Sequence, residues 1–241
     1  EQRKDFAGAD SWLDKVENPQ DRISVQVRRA SLLARQGKVD EAVALLDGWP
    51  ERTTGDARAK LLAQVQLLRE HDRTQQAYDL LETALTTRGD DIDLIYDQAL
   101  LADRLGKYGL MEQKLREVIT RRPTYFHAYN ALGYSLADRN VRLPEARELI
   151  GKALKNAPED PMILDSMGWL EFRSGNLDAA AKLLQTAYRI RRDAEIAAHL
   201  GEVLWLQGQK QQAIAIWRDG LRLAPDSKVL LETLKRLQVQ L

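Results

Sequence analysis

The side chains best suited to acid–base chemistry or metal binding in this sequence are three histidines, His71, His127 and His199. They lie far apart and lack the short spacing of metal-ligand motifs. The chain contains no cysteine, which excludes disulfides, thiolate metal sites and thiol catalysis. It also lacks the phosphate-binding loop, the nucleophile elbow and the zinc-protease motif. We therefore predict a protein that is not an enzyme and uses no cofactor or metal. An isolated histidine on a helix is expected at a surface or in a groove.

The composition narrows the classes of partner. The 241 residues include 36 Lys and Arg against 36 Asp and Glu, so the formal net charge is zero. A nucleic-acid binder normally carries a basic excess, and this balance argues against that function. No apolar run reaches the length of about 18 residues that indicates a membrane span. Apolar residues make up 44% of the chain, which supports a folded core.

Small and large apolar residues recur at a period of about 34 residues, and such a period indicates a repeat architecture. The leading positions are Ala9, Ala42, Ala77, Met111, Ala146, Ala180 and Ala213. The large apolar residues four positions later are Leu13, Leu46, Leu81, Leu115, Ile150, Leu184 and Trp217. A second apolar stretch precedes each block after the first, and the breaks between them are Gln36-Gly37, His71-Asp72, Leu105-Gly106, Arg139-Asn140, Ser174-Gly175 and Gln207-Gly208. The pattern predicts an all-α protein with two short helices per unit.

The later units carry the marks of a known family. Leu132-Gly133, Met167-Gly168 and Leu200-Gly201 stand in the first helix of three units, and each is followed by an alanine in the second helix. In this period and pattern the chain resembles the tetratricopeptide repeat (TPR) family. The resemblance implies a right-handed superhelical solenoid, in which a glycine facing a partner alanine allows two helices to approach closely. Acidic pairs at the unit boundaries, Asp90-Asp91 and Glu159-Asp160, are interpreted as helix caps.

The repeat register divides the chain into eight segments. They are a half repeat at 1–22, repeats at 23–57, 58–91, 92–125, 126–160, 161–193 and 194–225, and a C-terminal capping helix at 226–241. The first helices are expected to begin near Ile23, Arg58, Ile92, Phe126, Pro161 and Ala194. The half repeat is interpreted as the remainder of an upstream unit in a longer protein, with a natural N-terminal capping helix as the alternative. In the last segment, Asp226-Ser227 is the expected N-cap, and an apolar stripe is formed by Leu230, Leu234, Leu237 and Leu241.

In this family the first helices line a concave groove, so the positions around the first-helix glycine are candidate contacts for a polypeptide partner. The candidates are Tyr96, His127, Asn130, Tyr134, Asp165, Trp169, Phe172, Glu202 and Trp205. Aromatic side chains favour interfaces because they bury a large area with few rotors. We favour partner contact for Trp169 and Phe172, and packing for Trp205. We assign Trp49 and Trp217 to the core and Trp12 to the outside.

A closer resemblance rests on the strings from Tyr129 to Tyr134, Asp165 to Trp169 and Ala197 to Trp205. They resemble the C-terminal region of a proteobacterial family of large TPR lipoproteins of the cell envelope, known from the Pseudomonas outer membrane, that bind a carboxyl-terminal processing protease. The resemblance implies a periplasmic adaptor that activates this protease and delivers peptidoglycan hydrolases to it. It also implies that the full-length protein is tethered to the outer membrane by a lipid anchor outside this chain.

The function predicted from the sequence is therefore a non-catalytic protein–protein scaffold without nucleic-acid binding. The alternative is an envelope assembly or secretion scaffold, for polysaccharide export or pilus biogenesis, with no protease partner. Self-association through an exposed repeat end is a further possibility for this fragment.

Overall fold

The computed structural model describes residues 5–18 and 22–241; the remainder of the predicted half repeat lies outside them. The described residues form fourteen α-helices and no strand, so the all-α prediction is confirmed. The helices are α1 Phe6–Leu13, α2 Ile23–Arg35, α3 Val39–Asp47, α4 Thr54–Glu70, α5 Thr74–Thr87, α6 Ile92–Arg104, α7 Tyr108–Arg121, α8 Phe126–Asp138, α9 Leu143–Asn156, α10 Pro161–Arg173, α11 Leu177–Ile190, α12 Ala194–Leu206, α13 Lys210–Leu223 and α14 Lys228–Arg236.

The helices form two compact units, unit 1 (Glu1–Lys114) and unit 2 (Leu115–Leu241). In unit 1, α2 pairs with α3, α4 pairs with α5, and α2 also contacts α4. In unit 2, α8 pairs with α9, α10 with α11 and α12 with α13, and α10 contacts both α8 and α12. Within each unit, antiparallel helix pairs therefore stack so that first helices contact first helices.

Every predicted break between a first and a second helix adopts a left-handed turn. Its second residue has a positive φ in all six cases: Gly37, Asp72, Gly106, Asn140, Gly175 and Gly208. The left-handed conformation ends a helix, and glycine adopts it without a steric cost. Short polar side chains such as Asp and Asn tolerate it better than most others. The sequence breaks therefore mark the turns correctly.

Helix starts follow local capping chemistry. Asp91 and Asp160 accept hydrogen bonds from backbone amides in the first turn of α6 and α10, which confirms the capping interpretation for the second residue of each acidic pair. Helix α4 begins at Thr54, ahead of the expected Arg58, because Thr53 and Asp56 form a reciprocal capping box there. Ser227 is the residue before α14, but its side chain makes no capping hydrogen bond.

Close approach within a helix pair depends on the first-helix glycines of unit 2. A Cβ atom placed on Gly133 would lie 2.6 Å from Ile150 Cγ1 and 3.0 Å from the Ala146 carbonyl oxygen. A Cβ on Gly168 would lie 2.6 Å from Leu184 Cγ. The sequence predicts that the glycine faces the alanine of the second helix. In the structure it faces the large apolar residue of that helix as well as the alanine backbone.

The tryptophans predicted as structural are buried, with Trp217 fully enclosed and Trp49 8% exposed, whereas Trp12 is 67% exposed as expected. Helix α14 packs on α12 and α13 and buries Leu230 and Leu234. Leu241 lies beyond the end of this helix and is exposed, so the predicted apolar stripe is shorter than expected.

We expect Gly133→Ala to lower the free energy of unfolding by about 1–3 kcal/mol, because the new methyl group overpacks against Ile150 and the Ala146 backbone. Denaturant unfolding followed by circular dichroism measures this change. Gly151→Ala on the neighbouring helix α9 is the matched control, because a Cβ there has no atom within 4 Å. It should raise stability by roughly 0.5–1 kcal/mol through helix propensity. Equal effects of the two substitutions would contradict the close-approach argument.

Candidate functional site

The candidate groove residues of unit 2 lie on α8, α10 and α12, whose shared surface is here called the first-helix face. Eight of the nine candidates belong to these helices, and Tyr96 lies on α6 in unit 1. Because α8 contacts α10 and α10 contacts α12, side chains from three successive repeats meet on this face. They form a connected polar and aromatic network.

The centre of the network is a buried pair between neighbouring first helices. His199 Nδ1 on α12 lies 3.0 Å from both Oδ1 and Oδ2 of Asp165 on α10. The two side chains are only 3% and 2% exposed. Because a carboxylate can only accept, the Nδ1–H of the imidazole is the donor. His199 is therefore buried, and the expectation that an isolated histidine lies at a surface or in a groove is wrong for this residue.

The negative charges around His199 favour its protonated form. Burial by itself lowers the pKa of an imidazole, but Asp165, Glu195 and Asp138 together outweigh burial and raise the pKa of His199. A carboxylate partner favours the charged form most strongly where water is excluded. The arrangement thus favours the protonated form of a histidine in the interior of unit 2.

Trp169 links this pair to the third helix. Its indole stacks on the His199 ring with 4.1 Å between ring centroids and an interplanar angle of 21°. Its Nε1–H donates to Asp138 Oδ1 on α8 at 3.0 Å. Trp169 is only 5% exposed as a result. Partner contact by Trp169 stays a prediction, and the side chain lies beneath the surface that a partner would meet.

Tyr134 links two repeats that are not neighbours in the chain. Its hydroxyl on α8 donates a hydrogen bond of 3.2 Å to Glu195 Oε1 on α12, and α10 belongs to the repeat between them. Burial, followed by the charges of Glu195 and Asp138, raises the pKa of Tyr134 well above its ordinary value. Burial is also the main cause that raises the pKa of Glu195, although the charge of His199 opposes it. The phenol therefore keeps its proton and remains the donor.

At the C-terminal end of the face, Glu202 is buried and bound by the last helix. Its two carboxylate oxygens accept hydrogen bonds from Arg236 Nη1 and Nη2 at 2.7 and 2.6 Å. Glu202 is 2% exposed, whereas the Arg236 side chain on α14 is 55% exposed. The pair fixes α14 to α12 through a bidentate contact, the strongest geometry for an arginine and a carboxylate.

Two further aromatic candidates, Phe172 and Trp205, are partly exposed. Phe172 is half-buried, with its ring centroid 4.8 Å from that of Trp169. Trp205 is half-buried, with its ring 5.6 Å from that of Trp217 and the Lys210 ammonium 4.9 Å above it. These contacts fix one side of each ring and leave part of it accessible.

The remaining candidates differ in their surroundings. His127 is exposed, and its ring lies 4.2 Å from that of Phe126. Asn130 is half-buried, and its Oδ1 atom is buried without a hydrogen-bond partner. Tyr96 is half-buried in unit 1. These placements leave the assignment of partner contacts a prediction.

Sequence reasoning does not single out one group of network residues, namely His199, Glu195, Asp138 and Arg236. The signal that could have found two of the pairs is the repeat period, because Asp165 and His199 are 34 residues apart, as are Glu202 and Arg236. Among the described residues, no cluster of three or more acidic or histidine side chains could hold a metal ion. In the same part of the chain, no helix is long and apolar enough to cross a bilayer.

Comparison with known proteins places this arrangement in a family. The model of the tetratricopeptide repeat matches residues 96–161 and 166–228. The TPR repeat-containing protein PA4667 of Pseudomonas aeruginosa is 42% identical over 202 residues, which cover 84% of this chain and 34% of that protein. Cellulose synthase 2 operon protein C of Komagataeibacter xylinus is 30% identical over 149 residues, or 59% of this chain and 11% of that protein. The chain thus spans about a third or less of these relatives.

A solved structure supports the same fold. The tetratricopeptide repeat protein of Parabacteroides merdae superimposes with a TM-score of 0.73 at 18% identity and covers 97% of this chain and 93% of that one. The fold prediction of a TPR solenoid is thereby confirmed.

We expect Arg236→Ala to destabilise unit 2 by about 1–3 kcal/mol, because it leaves the buried carboxylate of Glu202 without its charged donors. Denaturant unfolding measures the change, and limited proteolysis reports release of α14. Lys235→Ala is the control, since Lys235 is exposed on the same helix. If Arg236→Ala unfolds at the wild-type midpoint, the pair does not hold the last helix.

Proposed function

The chain belongs to the tetratricopeptide repeat family of protein-interaction scaffolds, and on that premise we propose that the first-helix face of unit 2 binds a polypeptide partner. The observation that carries the proposal is the half-buried ring of Phe172, which packs on Trp169 of the buried network. Rings whose positions are already fixed lose little conformational entropy on binding. Such anchors commonly contribute most of the affinity at an interface.

The partner that we propose is a carboxyl-terminal processing protease. Support comes from the resemblance of the strings around Tyr134, Trp169 and Trp205 to envelope TPR lipoproteins. In this proposal the chain is part of a periplasmic adaptor that is lipid-anchored to the outer membrane. It delivers peptidoglycan hydrolases to the protease for degradation.

An adaptor of this kind has two physical means of accelerating proteolysis. Binding protease and substrate at once raises the effective concentration of the substrate at the protease. Binding an active conformation of the protease more tightly than an inactive one shifts its population toward activity. Neither effect requires a catalytic group on the adaptor.

The second candidate function is an envelope assembly scaffold for polysaccharide export or pilus biogenesis, without a protease. The similarity to the cellulose synthase operon protein supports this function. Affinity purification of the full-length protein from an envelope extract separates the two proposals. Recovery of the protease with its hydrolase substrates supports the adaptor, and recovery of export components alone supports the assembly scaffold.

We expect Phe172→Ala to weaken binding to the purified carboxyl-terminal processing protease by about tenfold or more, since truncating an aromatic anchor commonly costs over 1 kcal/mol. Surface plasmon resonance with immobilised protease measures the affinity, and circular dichroism verifies the helical content. Trp12→Ala removes a 67% exposed aromatic ring from unit 1 and serves as the matched control. Unchanged affinity of Phe172→Ala, with wild-type binding intact, would move the interface away from this face.

A further inference from the structure

The buried histidine of unit 2 occupies a position that joins three repeats. Its Nδ1–H is bound by Asp165 of α10, and its ring is covered by Trp169 of the same helix. Trp169 in turn donates to Asp138 of α8. A single side chain on α12 therefore contributes to contacts that extend over both preceding first helices.

The charged groups around His199 are mostly of one sign. Asp165 faces it from α10, Asp138 from α8 and Glu195 from its own helix, and all three raise its pKa. Tyr134 of α8 lies nearby and stays neutral below its raised pKa. From α14, Arg236 is engaged with the buried Glu202, and it also lies within electrostatic range of Asp138. When it is protonated, His199 is therefore the cation directly paired with Asp165.

We propose that protonated His199 clamps α8, α10 and α12 together, so that the first-helix face of unit 2 is ordered while the histidine is charged and loosens when its proton is lost. Loss of the proton leaves Asp165 buried without a positive partner, and it removes attraction for Glu195 and Asp138. An uncompensated buried charge is costly, so the helices would separate enough to admit water.

The direction of the pH effect follows from the shift of His199. Its pKa is higher in the folded protein than the ordinary value of about 6.5, so the folded state holds this proton more strongly than the unfolded chain does. The stabilisation is fully present below pH ~6.5 and is lost as pH rises through the folded pKa. The raised pKa of Glu195 also makes the folded state less stable as pH rises, so the experiment must separate Glu195 from His199.

The first measurement is the titration of His199 by NMR in the whole chain. We expect its pKa to lie above the ordinary histidine value. A value at or below the ordinary histidine range of about 6.5 overturns the proposal. This result does not depend on whether any variant folds.

The second measurement is denaturant unfolding between pH 6 and pH 9. Each pH unit by which the folded pKa exceeds the unfolded one lowers the folded-to-unfolded ratio about tenfold across this range. His199→Gln keeps an amide donor for Asp165 but cannot titrate, so it should lose this pH dependence. Glu195→Gln should retain most of it, because Asp165 raises the pKa of His199 more than Glu195 does. If the slope persists in His199→Gln, or disappears only in Glu195→Gln, the clamp is not His199.

The consequence for binding rests on the proposed function. We expect wild-type affinity for the protease to fall between pH 6 and pH 8.5 by several-fold more than that of His199→Gln, which corrects for titration of the protease itself. Absence of protease binding at both pH values would reject the proposed function, while the titration and unfolding results would still decide the clamp.

Discussion

The arrangement of unit 2 depends on the close approach of each first helix to its second helix. The first-helix glycines permit this approach, because a Cβ atom on Gly133 or Gly168 would collide with Ile150 or Leu184 of the partner helix. When the two helices of a pair are this close, the second helix covers the apolar side of the first. The opposite side of the first helix is then left for contacts with the first helices before and after it. Those contacts carry the polar network.

Polar contacts between first helices have a cost that apolar packing lacks, because each buried charge loses its hydration. Unit 2 offsets this cost by giving its buried polar groups hydrogen-bond or ion-pair partners. Asp165 has His199, Glu202 has a bidentate arginine, and Tyr134 donates to Glu195. The aromatic rings lie among these pairs, and Trp169 takes part in both kinds of contact. The half-buried Phe172 packs on Trp169, and this contact connects the candidate binding face to the charged pairs.

The sequence was sufficient for the repeat framework and insufficient for this network. The period, the left-handed turns at Gly37 and Asn140 and the capping by Asp160 all arise from local chemistry, which a single helix or turn expresses in its own residues. The burial of His199 does not arise from local chemistry, because its partner Asp165 belongs to another repeat. Position within the helix predicts the groove side for Asp165 and Trp169, but their depth is set by the neighbouring helix. Opposite charges one period apart are the long-range signal that indicates such pairs in a repeat sequence.

The buried pairs also bear on how the repeats recognise one another. Apolar residues recur at equivalent positions in every unit, so apolar packing alone does not specify which helix follows which, or in what register. Asp165 with His199 and Glu202 with Arg236 are different pairs at two successive contacts of unit 2. Placing the wrong first helix next to α10 or α12 would leave a carboxylate buried without its partner. Replacing such pairs with apolar residues often raises stability, so their presence is better explained by specificity than by stability. We infer that register is their structural role and that sensitivity to pH, at the one pair containing a histidine, follows from the same chemistry.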